Sequence, residues 1–159
     1  SKETGGSLFD KLSGVGAALL VKTLDELEKG TVKPVKQNET EATHVKMLDK
    51  SFGNIDFSME AARIERLIRG LNPWPSAFTH FNGKLLKIWD ADVCDDVVCE
   101  SGESVVNGMI TQVDNNSFIV KCGDNSLKIN ELQLEGKKRM KTQDFLRGNH
   151  INTGDIFGK

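Results

Sequence analysis

The feature that most constrains this chain is the stretch Gly70-Leu71-Asn72-Pro73-Trp74-Pro75. Two prolines on either side of a tryptophan restrict the backbone there and forbid a helix from continuing. Helical periodicity precedes this block and strand alternation follows it. So rigid a turn holds Trp74 in one place. The expected use of that ring is to plug the end of a barrel core, with stacking on a nucleotide base as the alternative.

After the block the signals are those of short strands. Ala77-Phe78-Thr79-His80-Phe81 runs into Asn82-Gly83, a strong hairpin signal, and Leu85-Leu86-Lys87-Ile88-Trp89 returns. Alternation puts Leu86 and Ile88 on one face and Leu85, Lys87 and Trp89 on the other. Further strands are predicted over Val105–Val113, Ser117–Cys122 and Ser126–Leu134, with turns at Asp114-Asn115-Asn116 and Gly123-Asp124-Asn125. About five strands joined by short turns predict a mainly β domain, an OB-fold-like small β-barrel with flanking helices. Beyond the last strand, Thr142 or Asp144 is expected to cap a short helix through Phe145, Leu146 and Arg147.

Before the block two helices are predicted. Over 7–29 the residues Leu8, Leu12, Val15 and Leu19, with Leu20, Leu24 and Leu27, recur at spacings of three and four, and Gly30 supplies a stop. This apolar stripe has no strand nearby in sequence to pack on. Residues 1–30 therefore read as the last helix of a domain whose body lies elsewhere. Residues 31–54 are polar and aperiodic, an extended linker whose Lys33, Lys36, Lys46 and Lys50 serve either solubility or an RNA backbone. Over 58–70, Ser58 is the expected N-cap, and Ala61, Ile64, Leu67, Ile68 and Leu71 form an apolar face. Arg63, Arg66 and Arg69 recur at steps of three on its polar side. They are either contacts to successive phosphates or a solvated face paired with Glu60 and Glu65.

The net charge of −2 conceals an uneven distribution. Residues 92–106 carry Asp92, Asp95, Asp96, Glu100 and Glu103 with no basic residue, whereas 137–147 carry Lys137, Lys138, Arg139, Lys141 and Arg147 against Asp144 alone. Polyanion binding depends on a local patch and not on the sum. Cys94, Cys99 and Cys122 are an odd and sparse set, suited to reduced thiols in the cytoplasm. Cys94 and Cys99 have four residues between them and no histidine close in sequence, so buried thiols are expected there and not a metal site. No apolar run approaches the roughly 20 residues that span a bilayer. No Ser/His/Asp set, paired-carboxylate arrangement or glycine-rich phosphate loop has support, so no catalytic residue is expected in this chain.

Three groups of residues together resemble the methionyl-tRNA formyltransferase family. The first is Thr4-Gly5-Gly6-Ser7-Leu8 with Asp10-Lys11-Leu12, Gly30 and Gln37. The second is Ile55-Asp56-Phe57, then Ile68-Arg69-Gly70-Leu71-Asn72-Pro73-Trp74-Pro75, Asn82-Gly83-Lys84 and Lys87-Ile88-Trp89. The third is Leu132-Gln133, Gly136-Lys137-Lys138, Met140 and Phe145-Leu146-Arg147-Gly148. They fall in family order along essentially the whole chain.

The resemblance implies a two-domain enzyme. An N-terminal α/β domain uses 10-formyltetrahydrofolate to formylate the amino group of methionine on initiator tRNA, and a linker leads to a C-terminal barrel that helps hold the tRNA. The family's Asn-His pair, Ser-Leu-Leu-Pro signature and catalytic Asp belong upstream of Thr4, and His44, His80 and His150 match none of them. On this reading residues 1–30 are the end of the catalytic domain, 31–54 the linker and 55–159 the tRNA-binding domain. No cofactor is expected on the chain itself. The partners implied are initiator methionyl-tRNA and the N-terminal catalytic domain of the same protein. Lys84, Lys87, Lys137, Lys138, Arg139, Lys141 and Arg147 would hold phosphates, which positions the RNA without reading sequence. A related folate- or sugar-formyltransferase, and a structural barrel that touches no RNA, remain the alternatives. The family usually has Trp at Phe57, often Gly at Ser76, and a linker lysine at Met47, where this chain has Lys46 instead. In an extended segment a shift of one residue turns the side chain to the other face.

Overall fold

The computed structural model describes residues 2–96 and 104–158. Helix α1, Gly5–Glu28, is defined by local rules at both ends. The Thr4 hydroxyl accepts from the Ser7 amide at 3.1 Å, and the Ser7 hydroxyl accepts from the Thr4 amide at 2.9 Å, a reciprocal capping box. At the other end Gly30 adopts φ 68°, its amide donates to Leu27 at 3.0 Å, and Thr31 donates to Glu26 at 2.9 Å. This is a Schellman termination, in which a glycine takes the left-handed position without a steric penalty. The helix starts two residues earlier than its periodicity predicts and buries none of its side chains. The chain then runs without helix or strand, with a turn over 39–41, to a tight 3-10 turn at Lys50–Gly53, where it meets the sheet: Ile55 donates to Phe78 at 2.9 Å.

Helix α2, Ala61–Gly70, turns Ala61, Ile64 and Ile68 into the core. Ser58 is not its cap. Its hydroxyl and amide both close onto Asp56, at 2.7 and 2.9 Å, in a turn of their own. Glu60 occupies the N-cap position without a side-chain bond, and Asp124, 63 residues on, accepts from the Ala61 amide at 2.8 Å. A tertiary contact thus supplies the acceptor that sequence reasoning had assigned to a neighbour.

The Asn82-Gly83 turn, with both residues at positive φ (50° and 72°), joins β1, Ala77–Phe81, to β2, Lys84–Cys94, as predicted. Leu86 and Ile88 are buried and Lys87 and Trp89 lie on the opposite face. Strands β3, Ile110–Val113, and β4, Phe118–Lys121, are shorter than expected, while β5 spans Ser126–Leu134 as predicted. The antiparallel sheet runs β1-β2-β5-β4-β3, with a sixth strand, β6, Met140–Lys141, also on β5. The two-residue β6 is too short to show alternation. Helix α3, Thr142–Leu146, follows it. Neither Thr142 nor Asp144 caps α3: the buried Thr142 hydroxyl donates to the Ile129 carbonyl at 2.8 Å and fastens the helix to β5.

The sheet is barrel-like but, among the described residues, no ladder joins β1 to β3 to close it. The C-terminal segment spans that opening. Ile110 donates to Asp155 and Phe157 to Gly108, at 2.8 and 2.9 Å, while Gly158 donates to His80 of β1 at 2.9 Å. Phe157 enters the core among Phe57, Phe81 and Phe118, with ring centroids 5.5–6.0 Å apart. The plug expected from Trp74 is therefore a set of phenylalanines. Trp74 itself is 57% exposed, because the Ser76 amide bonds the Leu71 carbonyl at 2.9 Å and closes a loop that buries Leu71 and Pro75 but turns the indole outward. The Asn72-Pro73 and Trp74-Pro75 peptides are both cis.

Candidate nucleic-acid interface

The outer face of β2 and β5 gathers several of the predicted basic residues around an indole. Lys87 and Trp89 are two residues apart on one strand and so share a face. The Lys87 ammonium lies 5.6 Å from the Trp89 ring centroid. Arg139, just before β6, reaches across β5 to place its guanidinium 4.8 Å from the same centroid. Both separations are in the range in which a cation is attracted to the negative face of an indole. The ring is held from its edge, where its N–H donates to the Gln133 side-chain oxygen at 3.3 Å, and Gln133 in turn donates to the Lys137 carbonyl at 2.9 Å. This bond ties the Trp89 platform to the Lys137-Lys138 turn.

Beside the indole is a groove of about 270 Å³ between β2, α2 and the N-terminal segment, lined also by Arg69, Asn72, Arg139 and Lys141. Acidic residues share it. Arg139 is ion-paired with Glu131, Arg69 with Glu65 at 3.0 Å, and Lys2 with Asp92 near the groove. The Arg139 guanidinium holds the Glu131 carboxyl below its usual range, and Lys2, then Asn130, do the same for Asp92. Lys137, Lys138 and Lys141 are exposed and carry no ion pair among the described residues.

The remaining predicted residues lie apart. Lys84 sits at the hairpin and Arg147 at the end of α3, where it pairs with Asp144 at 3.1 Å. Arg63 and Arg66 are exposed on α2 without an ion pair among the described residues. Arg69 is drawn inward and also donates to the Glu3 carbonyl at 2.7 Å. Asn72 donates from its side chain to the Trp89 carbonyl at 3.2 Å, and its own carbonyl accepts from Gly6 at 2.9 Å. Trp89 itself had no functional assignment from the sequence. The signal for it was the Lys87-x-Trp89 alternation, which puts a cation beside an indole.

The acidic stretch is partly neutralised: Asp96 accepts from Lys121 at 2.6 Å and from Ser126 at 2.7 Å, while Glu100, Glu103 and Cys99 lie outside the described residues. Cys122 is buried, which pushes its thiol up to about 12 and makes it a poor nucleophile. Among the described residues no helix is long and apolar enough to cross a membrane, and no cluster of His, Cys, Asp or Glu could hold a metal ion.

The methionyl-tRNA formyltransferase of Lachnospira eligens is 59% identical over 159 residues, which is 100% of this chain and 50% of that protein. The protein of the same name from Agathobacter rectalis is 50% identical over 98% of this chain and 48% of its own length. The chain thus spans about half the length of the curated relatives it matches. Among solved structures, a HypX variant from Aquifex aeolicus matches with a TM-score of 0.58 and 15% identity, covering 98% of this chain and 30% of that one. A second HypX variant matches with a TM-score of 0.55 and 17% identity, covering 100% and 29%. At such identities the likeness is one of fold alone. Residues 47–150 match the family model described as formyl transferase, C-terminal domain, and the chain belongs to that family.

Proposed function

We propose that this chain is the C-terminal part of a methionyl-tRNA formyltransferase, and that its basic face around Trp89 holds the phosphates of initiator tRNA. The formyl group passes from 10-formyltetrahydrofolate to the methionine amino group in an N-terminal catalytic domain. In that arrangement residues 1–30 are the closing helix of the catalytic domain, 31–54 the linker and 55–159 an OB-like tRNA-binding domain, all acting in the cytoplasm. The chain alone transfers no formyl group.

The observation that carries the tRNA reading is the exposed Lys137-Lys138 turn and Lys141 beside an indole flanked by Lys87 and Arg139. Cations that reach phosphates release counterions, so with about five contacts log K should fall with log salt by roughly 0.7–0.9 per contact. Binding to initiator tRNA is measured at low and moderate salt against a duplex DNA control. Replacing Lys137, Lys138 and Arg139 with Ala should weaken binding across all tRNAs and flatten the salt slope. Unchanged affinity in the triple variant removes this patch from the proposal. The ion pairs of Arg69, Arg139 and Arg147 favour a second reading, a structural barrel that touches no RNA, and it calls for no salt-sensitive binding at all.

A further inference from the structure

No residue of helix α1 is fully buried, yet Gly5 and Gly6 at its start are docked against the end of α2 and the turn after it. A Cβ on Gly5 would lie 2.2 Å from the Gly70 carbonyl oxygen, and one on Gly6 would lie 2.8 Å from the Pro73 ring. Only glycine allows backbone to approach this closely. The Gly6 amide, which as a first-turn group has no partner within its own helix, donates to the Asn72 carbonyl at 2.9 Å. Arg69 donates to the Glu3 carbonyl at 2.7 Å, and Lys2 pairs with Asp92 on β2. From the same turn, the Asn72 side chain reaches the Trp89 carbonyl at 3.2 Å. One continuous set of contacts therefore joins the start of α1 to the strand that carries the indole platform.

We propose that residues 2–6 docked on residues 69–73 form a latch, which fixes the direction of α1 and of the polypeptide that precedes it relative to the Trp89 face. Gly5 and Gly6 are positioning residues, acting through the Asn72-Pro73 turn and touching neither RNA nor formyl donor. The functional half of this inference rests on the proposed formyl transfer. If tRNA phosphates are held at Trp89 while chemistry happens in the preceding unit, the angle between the two units decides whether the methionine end reaches the reacting centre. Misplacement of about 1 Å far from the chemistry can cost on the order of 100-fold in rate.

The geometric half is tested on the 159-residue chain by amide hydrogen exchange. Gly6 should exchange at least about tenfold more slowly than an unbonded amide. Gly5→Val should abolish that protection while leaving β5 protected, and Gly6→Ala, a smaller intrusion, should reduce it. A freely exchanging Gly6 in the unsubstituted chain, or protection unchanged in Gly5→Val, overturns the latch. The functional half is tested in the full-length protein with two substrates, whole initiator methionyl-tRNA and a methionyl acceptor-stem minihelix too short to reach Trp89. Gly5→Val should lower kcat/KM for the whole tRNA by about tenfold or more and leave the minihelix within about twofold. Equal losses on both substrates would make the glycines merely structural and overturn the positioning role. A native enzyme that formylates neither RNA would instead remove the proposed function, and the exchange experiment would still decide the latch.

Discussion

Helices α1 and α2 obey opposite logics. The 24-residue α1 satisfies the local rules at both ends, with its own capping box and its own glycine stop, and buries nothing. The 10-residue α2 lacks a local cap, borrows one from Asp124, and buries Ala61, Ile64 and Ile68 against the sheet. Both carry an apolar stripe at helical spacing. A stripe marks a face suited to packing, but not what that face packs on. In α2 the partner is the barrel. In α1 the stripe of Leu8, Leu12, Val15 and Leu19 faces solvent.

A matched pair of phenylalanine substitutions should separate the barrel core from α1 most strongly. Phe118 is fully buried and packs on Phe157, so Phe118→Ala should cost about 3–5 kcal/mol in urea unfolding of the barrel. Phe9 in α1 is 71% exposed, and Phe9→Ala should change stability by no more than about 0.5 kcal/mol. A large loss at Phe9 would mean that α1 packs on something in solution. A concentration-dependent unfolding midpoint would then identify a second copy of the chain.

The same contrast explains what could be read from the sequence. The hairpin at Asn82-Gly83, the alternation of Leu86 and Ile88, the span of β5 and the termination at Gly30 all follow from residues within a few positions of one another. What the sequence concealed depends on distant parts of the chain. The Asp124 cap arises only when the β4–β5 turn meets α2. Strand β6 exists because β5 offers an edge to it. The barrel opening is spanned by Phe157 and its neighbours, which carry no periodic pattern. The basic run at 137–141 was legible as a cluster, but its arrangement around Trp89 was not, because Arg139 reaches that ring only by crossing a strand. Gly5 and Gly6 enter the sequence reading only through the family resemblance, and only the approach of Gly70 and Pro73 reveals why glycine stands there.

Ser76, beside the barrel, is held against its local preference. It sits at φ 72°, a left-handed position that costs a non-glycine residue about 1–2 kcal/mol, and surrounding bonds hold it there. Its amide is committed to Leu71, and its hydroxyl donates to the Pro75 carbonyl. In α1, local preference and conformation agree; here packing overrules preference. Ser76→Gly should relieve the strain but lose the hydroxyl's bond and give the unfolded chain more freedom, for a net gain of a few tenths to about 1 kcal/mol. The midpoint of urea unfolding measures it, and a loss of stability would mean that the hydroxyl contributes more than the backbone strain costs.

The smallest effect concerns the difference between the paired and unpaired cations of the basic face. Lys137 and Lys138 are free to meet a phosphate, whereas Arg139 is shared between the Trp89 ring and Glu131. Glu131→Gln removes the competing charge and keeps the side chain's shape. If the face binds RNA, affinity for tRNA should rise by about threefold, and the slope of log K against log salt should steepen by up to one contact's worth, roughly 0.7–0.9. Proton linkage gives the sign of the accompanying change in stability. Because Arg139 lowers the Glu131 pKa in the folded state, their pairing stabilises the fold above the ordinary glutamate range, and that contribution is lost as the pH falls through the lowered value. The Gln variant should therefore lose less stability than the native chain between neutral pH and the acid side of that range. Weaker tRNA binding by this variant would show that Glu131 holds Arg139 in place for the RNA instead of competing with it.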